Sequence, residues 1–566
     1  MRGTRFREPR WCFAIYREAD MTSPSTFRKR AFAVLGGTAI AALALTGCAT
    51  TKAGTTGSGG PLTIGTTDKV TVLDPSGSYD NGSFAVQNQV FPFLYNTPYG
   101  SPDVQPDIAE SGSFTSPTQF TVKLKPNLKF ANGHDLTSSD VKFSFDRDLK
   151  IADGNGPSSL LYNLASVDAP DPTTVVFTLK TPNDQVFKQI LSSPAGPIVD
   201  EQVFPADKLA TDQEIVKGNA FAGQYEITSY DFNNLISYKA NPNYAGVLGK
   251  AKTSVVNVKY YTSQSNLKLD IQQGNIDVAF RSLSPTDVAS LSKDNKVTVY
   301  HGPGGEIRYF VFNFETQPYG TKTADANAAK ALAVRQAAAD LVDRNALAKN
   351  VYKGTMSPLY SYVPDGLTGA TTALKSLYGD GNGGPDSAKA KKVLTDAGVT
   401  LPVKLDLQYN TDHYGESSSD EYAAIKSQLE TDGLFTVNLQ STEYVQYSKD
   451  RKAGVYSVFQ LGWFPDYSDA DNYLTPFFYN PTDKEAFILN HYDDPAVDAL
   501  ILKQGVTSDK AARASIIEDI QAKVATQLPT VPLLQGDQVA VAVKGVSGVK
   551  DTLDASFKFR YAALSK

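Results

Sequence analysis

Residues Gly462–Phe478 read GWFPDYSDADNYLTPFF, so Asp466, Asp469 and Asp471 stand among six aromatic residues with no Lys or Arg. Carboxylates in such a setting can do three kinds of chemistry. Calcium needs several oxygens converging at about 2.3–2.6 Å, and Asp469 and Asp471 lack the glycine an EF-hand uses at its turn. Glycoside hydrolysis needs two carboxyls about 5–9.5 Å apart on either side of a bond, and no second motif supports it. The third use is a carboxylate desolvated by aromatic neighbours and aimed at a ligand ammonium. Removing one partner of such a buried, hydrogen-bonded charge pair costs about 2–5 kcal/mol. The structural alternative is a loop in which Asp469 or Asp471 only caps a helix beginning near Asn472.

The rest of the chain offers little other chemistry. There is no GxSxG, no HExxH and no Walker A lysine. Gly302-Pro303-Gly304-Gly305 precedes the strand-like RYFVFNF, so it does not open a helix as a nucleotide-binding glycine loop would. His134, His301, His413 and His491 are far apart and sit in polar turns. DGNGGPD at 380–386 lacks the alternating acidic ligands and closing Glu of a calcium loop. It reads instead as a connection into a helix capped by Asp386. No catalytic residue, metal site or cofactor is expected.

The N-terminus carries an address. Arg28-Lys29-Arg30 precedes AFAVLGGTAIAALAL, a fifteen-residue apolar run from Ala31 to Leu45. That is the length of a signal-peptide core and short for a membrane span. The run ends in Leu45-Thr46-Gly47-Cys48, which resembles the lipobox of bacterial lipoproteins, whose cysteine is lipidated and becomes the new N-terminus. Residues 1–47 are therefore expected to be a signal peptide, with Met21 a more usual start than Met1 and residues 1–20 a mis-assigned extension. Residues 48–60 would be the lipid anchor and a flexible tether spanning roughly 20 Å. The protein is then expected outside the cytoplasm, lipid-anchored on the outer face of the cytoplasmic membrane or in the periplasm.

Maturation at Cys48 changes the inventory. Cys12 lies in the leader and Cys48 would be lipidated, so no thiol remains for a disulfide, zinc or nucleophilic catalysis. Residues 1–47 hold eight Lys/Arg and three Asp/Glu; 46 basic and 57 acidic residues remain, a net charge of −11. So acidic a body excludes nucleic acid and suits cationic ligands.

Positioning these residues requires a mixed α/β body, and 566 residues are too many for one ordinary core. Leu62–Thr66, Gln119–Leu124, Thr174–Leu179, Gln224–Tyr230, Leu235–Ala240 and Arg308–Phe314 are expected strands. Thr137–Asp140 forms a capping box opening a short helix. Helices are expected at Ala331–Tyr352, Ser387–Ala397, Ser418–Thr431, Pro495–Lys503 and Ala511–Leu528. No repeat of 20–50 residues is evident.

Five segments in order then resemble a known family. They are DIAESGSFTSPTQFTVKLKPNLKFANGHDLTSSDVKFSF (107–145), the Gly223–Tyr244 pattern, NLKLDIQQGNIDVAF (266–280), VRQAAADLVD with Arg344 (334–344), and QAKVATQLPTVPL (521–533). Behind a lipobox, they resemble family 5 extracellular solute-binding proteins, the oligopeptide- and dipeptide-binding lipoproteins of bacterial ABC importers. The resemblance implies an α/β, periplasmic-binding-protein-like fold of class II type, with two lobes joined by a hinge plus an inserted third domain. Lobe I would comprise 61–97, 202–302 and 532–566; the inserted domain 98–201; lobe II 303–531. The crossovers near Gly302–Glu306 and Pro529–Pro532 would form the hinge, and their Gly/Pro content predicts breaks in regular structure there.

The resemblance also assigns the opening stretch. Peptide-binding members carry GWxxDxxDPDNfl, in which the first Asp holds the peptide's α-amino group. The match places Asp466 on the ammonium and Trp463 as a wall of the cleft, with Ala470 where many members have Pro. Tyr309, Asn313, Tyr79 and Phe84 lie where the family lines its cleft. Arg281, Arg308 and Arg451 are the candidate partners for a ligand carboxylate. The implied function is capture of short peptides and delivery to ABC permease subunits by a monomeric, non-enzymatic protein. Oligosaccharide binding on the same fold and a secreted hydrolase are the alternatives.

Overall fold

The computed structural model describes residues 60–281, 283–480, 487–554, 556 and 558–566. The expected signal peptide, the expected lipidation site at Cys48 and the expected tether up to residue 59 lie outside the described residues. Of the expected strands, Leu62–Thr66, Gln119–Leu124, Thr174–Leu179 and Leu235–Ala240 form over those residues. Thr137 and Asp140 make the reciprocal capping box at the head of the helix Ser138–Ile151.

An eleven-stranded sheet organises the chain. From one edge its strands are Phe435–Thr442, Val403–Asn410, Val458–Trp463, Val297–Phe312, Thr530–Val543, Val278–Phe280, Leu62–Thr66, Val255–Tyr260, Leu235–Ala240 and Tyr225–Asp231, with Met356–Pro358 also pairing Thr530–Val543. A separate four-stranded antiparallel sheet runs Ala109–Ser116, Gln119–Leu124, Thr174–Leu179, Leu164–Asp171. Buried apolar side chains gather in distinct cores. One packs around Phe310, Tyr422 and Ile517, a second around Ile64, Tyr238 and Val258, and a third around Phe120, Phe145 and Phe177 on the four-stranded sheet. A smaller one surrounds Leu267 and Ile271.

Two segments differ from expectation. The strand expected at 308–314 begins at Val297 and runs sixteen residues through the Gly-Pro-Gly-Gly segment. It pairs antiparallel with Thr530–Val543, from Val297 against Val543 to Val311 against Thr530. The expected breaks are instead shifts of register, between Pro303 and Ile307 and between Arg308 and Tyr309. Proline cannot donate to a ladder and is tolerated where pairing slips; Pro303 stands at the first shift, and Pro532 faces Tyr309 at the second. Gly304 is required for close approach, since a Cβ there would lie 2.0 Å from the Gly536 carbonyl oxygen. The expected helix Ala331–Tyr352 ends at Leu341, because Asp343 turns to cap a new turn by accepting from the Ala346 amide at 2.8 Å.

Candidate ligand-binding site

Asp466 sits in the connection between the strand Val458–Trp463 and the helix Asp471–Phe478. The strand is pinned to the longer neighbouring strand through Trp463 against Ile307 and Gly462 against Arg308. Asn472, 1% exposed, organises the loop between them. Its side-chain oxygen accepts from Trp463 Nε1 and from the Asp466 amide, both at 2.9 Å, and its Nδ2 donates to Asp466 Oδ2 at 3.0 Å. The second Asp466 oxygen, Oδ1, accepts from the Tyr79 hydroxyl, which arrives from far earlier in the chain. Tyr79 precedes the helix Asn81–Val90, whose cap Asp80 accepts from the Ser83 amide.

The three aspartates do not converge. Asp469 takes both ends of the Arg513 guanidinium, at 2.8 and 2.6 Å, and accepts from the Asp471 amide at 2.9 Å. Asp471 accepts from Thr475 at 2.6 Å, from Tyr467 at 3.0 Å and from Gln504. Both are buried and spent on holding the loop. Asp466 differs in being only half-buried and in lining a hollow; among the described residues it makes no ion pair, and its side-chain donors, Tyr79 and Asn472, are neutral. Burial pushes its carboxyl up, against the hydrogen bonds from Asn472 and Tyr79 that favour its ionised form. A half-buried carboxylate with spare acceptor capacity and no counter-charge is electrostatically suited to an incoming cation.

Two joined hollows lie in this region, and Asp466 lines the smaller. A small one of about 30 Å³ is walled by Asp466, Pro465, Phe84, Asn88, Phe280 and Phe559, among others. Phe280 and Phe559 stack there with ring centres 4.0 Å apart. A larger cleft of about 860 Å³ continues from it, since Asp68 and Arg281 line both. Phe464, Glu306, Arg308 and His413 form part of its wall. Arg281 stands at the junction with a left-handed backbone, φ 56°, its guanidinium 3.6 Å from Asp68 and 5.7 Å from the Phe464 ring centre.

The structure thus brings Asp466, Tyr79 and Phe84 to one place. Trp463 stands behind the loop, edge-on to Phe477 and Phe487 at 5.3 and 5.2 Å, where it supports Asn472 and lines neither hollow. Tyr309, 2% exposed, packs in the core against Phe477. Asn313, 1% exposed, caps a turn by accepting from the Glu315 and Thr316 amides. Both leave the set of ligand contacts: Tyr309 lies on a strand buried in the core, and Asn313 in the buried turn that follows its end at Phe312. Arg451 is buried and donates to the Phe487 and Ile488 carbonyls, outside the cleft lining, whereas Arg281 and Arg308 line it. Asn472 was overlooked although it occupies the N of the DPDN pattern.

Among the described residues no cluster of three or more His, Cys, Asp or Glu has metal-binding geometry, and no helix is long and apolar enough to cross a membrane. A cleft of this size, with polar groups in its wall and a carboxylate in the hollow that joins it, is the arrangement of a small-ligand-binding site. The model of the family described as bacterial extracellular solute-binding proteins, family 5, matches residues 103–485, and the chain belongs to that family.

Its relatives include the probable D,D-dipeptide-binding periplasmic protein DdpA of Escherichia coli K12, 27% identical over 86% of this chain and 90% of the relative. The glutathione-binding protein GsiB of Shigella dysenteriae is 25% identical over 87% of this chain and 92% of its own length. Among solved structures, the ABC transporter substrate-binding protein CtaP of Listeria monocytogenes matches with TM-score 0.74 and 23% identity, over 90% of this chain and 99% of that one. The periplasmic binding protein DppA of Helicobacter pylori, in complex with the peptide STSA, matches with TM-score 0.69 and 20% identity, over 90% and 98% of the two chains. The fold is that of these periplasmic binding proteins.

Proposed function

We propose that the protein captures short peptides outside the cytoplasm, holding the α-ammonium on Asp466, and delivers them to an ABC permease without chemical change. One observation carries the reading: Asp466 is a half-buried carboxylate, oriented by Asn472 and Tyr79, that makes no ion pair among the described residues and lines a small hollow adjoining the cleft. The naming of relatives as dipeptide- and glutathione-binding proteins supports a peptide ligand. In this reading Cys48 bears the lipid anchor, and the protein acts as a monomer. Residues 61–97, 202–302 and 532–566 form one lobe, 303–531 the other, and 98–201 the inserted domain. The paired long strands Val297–Phe312 and Thr530–Val543 join the two lobes, and the register shift at Pro303–Ile307 is where they flex.

Calorimetry of the purified protein against a di- to pentapeptide mixture and a set of oligosaccharides tests the reading. Peptide binding with no sugar response is expected. Tight sugar binding without a peptide response would overturn it, and turnover of either ligand set would restore the hydrolase alternative.

A further inference from the structure

The larger cleft holds polar groups that a peptide ammonium on Asp466 would not use. Glu306 and Arg308 both line it. Gly305 packs so tightly on Pro465 that a Cβ there would stand 2.3 Å from Pro465 Cγ, and Pro465 adjoins Asp466 in the chain. Arg308 is 5% exposed. Its Nη2 donates to the Tyr414 carbonyl at 2.7 Å and stands 2.5 Å from Glu306 Oε1, and its guanidinium lies over the Tyr414 ring. Its Nε and Nη1 have no hydrogen-bond partner among the described residues, and Glu306 Oε1, though close in charge, is also without one. Buried donors and acceptors left unmade are costly, and a ligand that supplies the missing partners recovers that cost.

The charges around the pair narrow what that ligand group is. Arg308 is already balanced by Glu306, and Glu421 lies near enough to feel it, its carboxyl pushed up to about 7 by burial. Tyr352 donates to Glu421 at 2.9 Å, and His413 is held down in basicity by burial and by Arg308. A ligand carboxylate at this spot would meet Glu306; a ligand ammonium would meet Arg308. A neutral group offering both an acceptor and a donor meets neither penalty.

We infer that Glu306 and Arg308 form a subsite for a neutral amide of the ligand, an internal peptide bond or a terminal carboxamide, with Arg308 N–H donating to its C=O and Glu306 accepting its N–H. This rests on the peptide reading above and goes beyond it, because it withdraws Arg308 from the candidates for a carboxylate partner. The cleft then selects a free amino end and an amide close behind it while placing no requirement on a free carboxyl end.

The test is calorimetry of one tripeptide and its C-terminal carboxamide against the wild-type protein and Glu306→Gln. The wild-type comparison needs no variant: an acid preference below tenfold is expected, and a preference of tenfold or more overturns the inference. Glu306→Gln keeps the side chain's shape and uncovers the Arg308 charge, so the ratio should move at least tenfold toward the acid. A smaller movement in a variant that melts as the wild type does also overturns it. If neither peptide binds the wild-type protein, the peptide reading itself falls, and with it this subsite.

Discussion

Asp466→Asn removes the charge of a carboxylate that makes no ion pair among the described residues while keeping its size. Oδ1 can still accept from Tyr79 or Asn472, so the loop keeps most of its hydrogen bonds. What disappears is the charge facing the cleft. For a desolvated, hydrogen-bonded pair the loss on truncation is about 2–5 kcal/mol. Asp466 is only half-buried, so the lower part of that range applies, about 2–3 kcal/mol. At about 1.4 kcal/mol per decade, that is a roughly 30- to 150-fold loss of affinity for a peptide with a free amino end. The same peptide N-acetylated has no ammonium to lose, so wild type and Asp466→Asn should bind it within about threefold of each other, an interaction of under roughly 0.7 kcal/mol. The pH dependence gives an independent readout. Burial raises the Asp466 carboxyl in the free protein, and an ammonium favours its ionised form. Affinity should therefore fall as pH drops into the carboxyl's range, with proton release on binding, and Asp466→Asn should abolish that slope. Equal losses for the free and acetylated peptides, or an unchanged pH slope in the variant, would refute the assignment.

Two further outcomes concern stability. Arg513→Met leaves the Asp469 carboxylate buried without its cation and should cost about 3–5 kcal/mol in denaturant unfolding. Adding Asp469→Asn should return part of that loss, and additive losses would show that the pair does not act as one. Asp148 is 5% exposed, and burial pushes its carboxyl up to about 7 from 3.8. Its native state therefore holds an extra proton between those values. The group's contribution to stability is fully present below the unfolded value and is lost as pH rises toward about 7, by at most about 4 kcal/mol. Asp148→Asn should flatten that slope and melt higher than wild type at pH 8; an unchanged melting curve across pH 4–8 would contradict it.

Short-range chemistry was legible in the sequence. The capping box at Thr137 and Asp140 spans three residues, and strands such as Leu62–Thr66 and Gln119–Leu124 are set by alternation and by the breakers around them. The local setting of Asp466 was legible as well, because its aromatic neighbours and its partner Asn472 lie within six residues. Sequence order also carried the family, through segments matched along most of the chain.

Other features depended on residues that meet only after folding. That Asp469 is spent on structure follows from Arg513, forty-four residues away, and that Asp466 is poised by a phenol follows from Tyr79, 387 residues away. Tyr309 could not be assigned from alternation, because a strand in the middle of a sheet can be buried on both faces and its period does not say which side meets a cleft; Asn313 lies just past the end of that strand, in a turn that buries it. The Gly-Pro-Gly-Gly segment signalled a break that the paired strand Thr530–Val543 converted into a slip of register. Propensity and spacing act over a few residues along the chain and so are written in it. Counter-charges, burial and the sharing of a cleft are decided by contacts between distant segments, and those exist only in the folded protein.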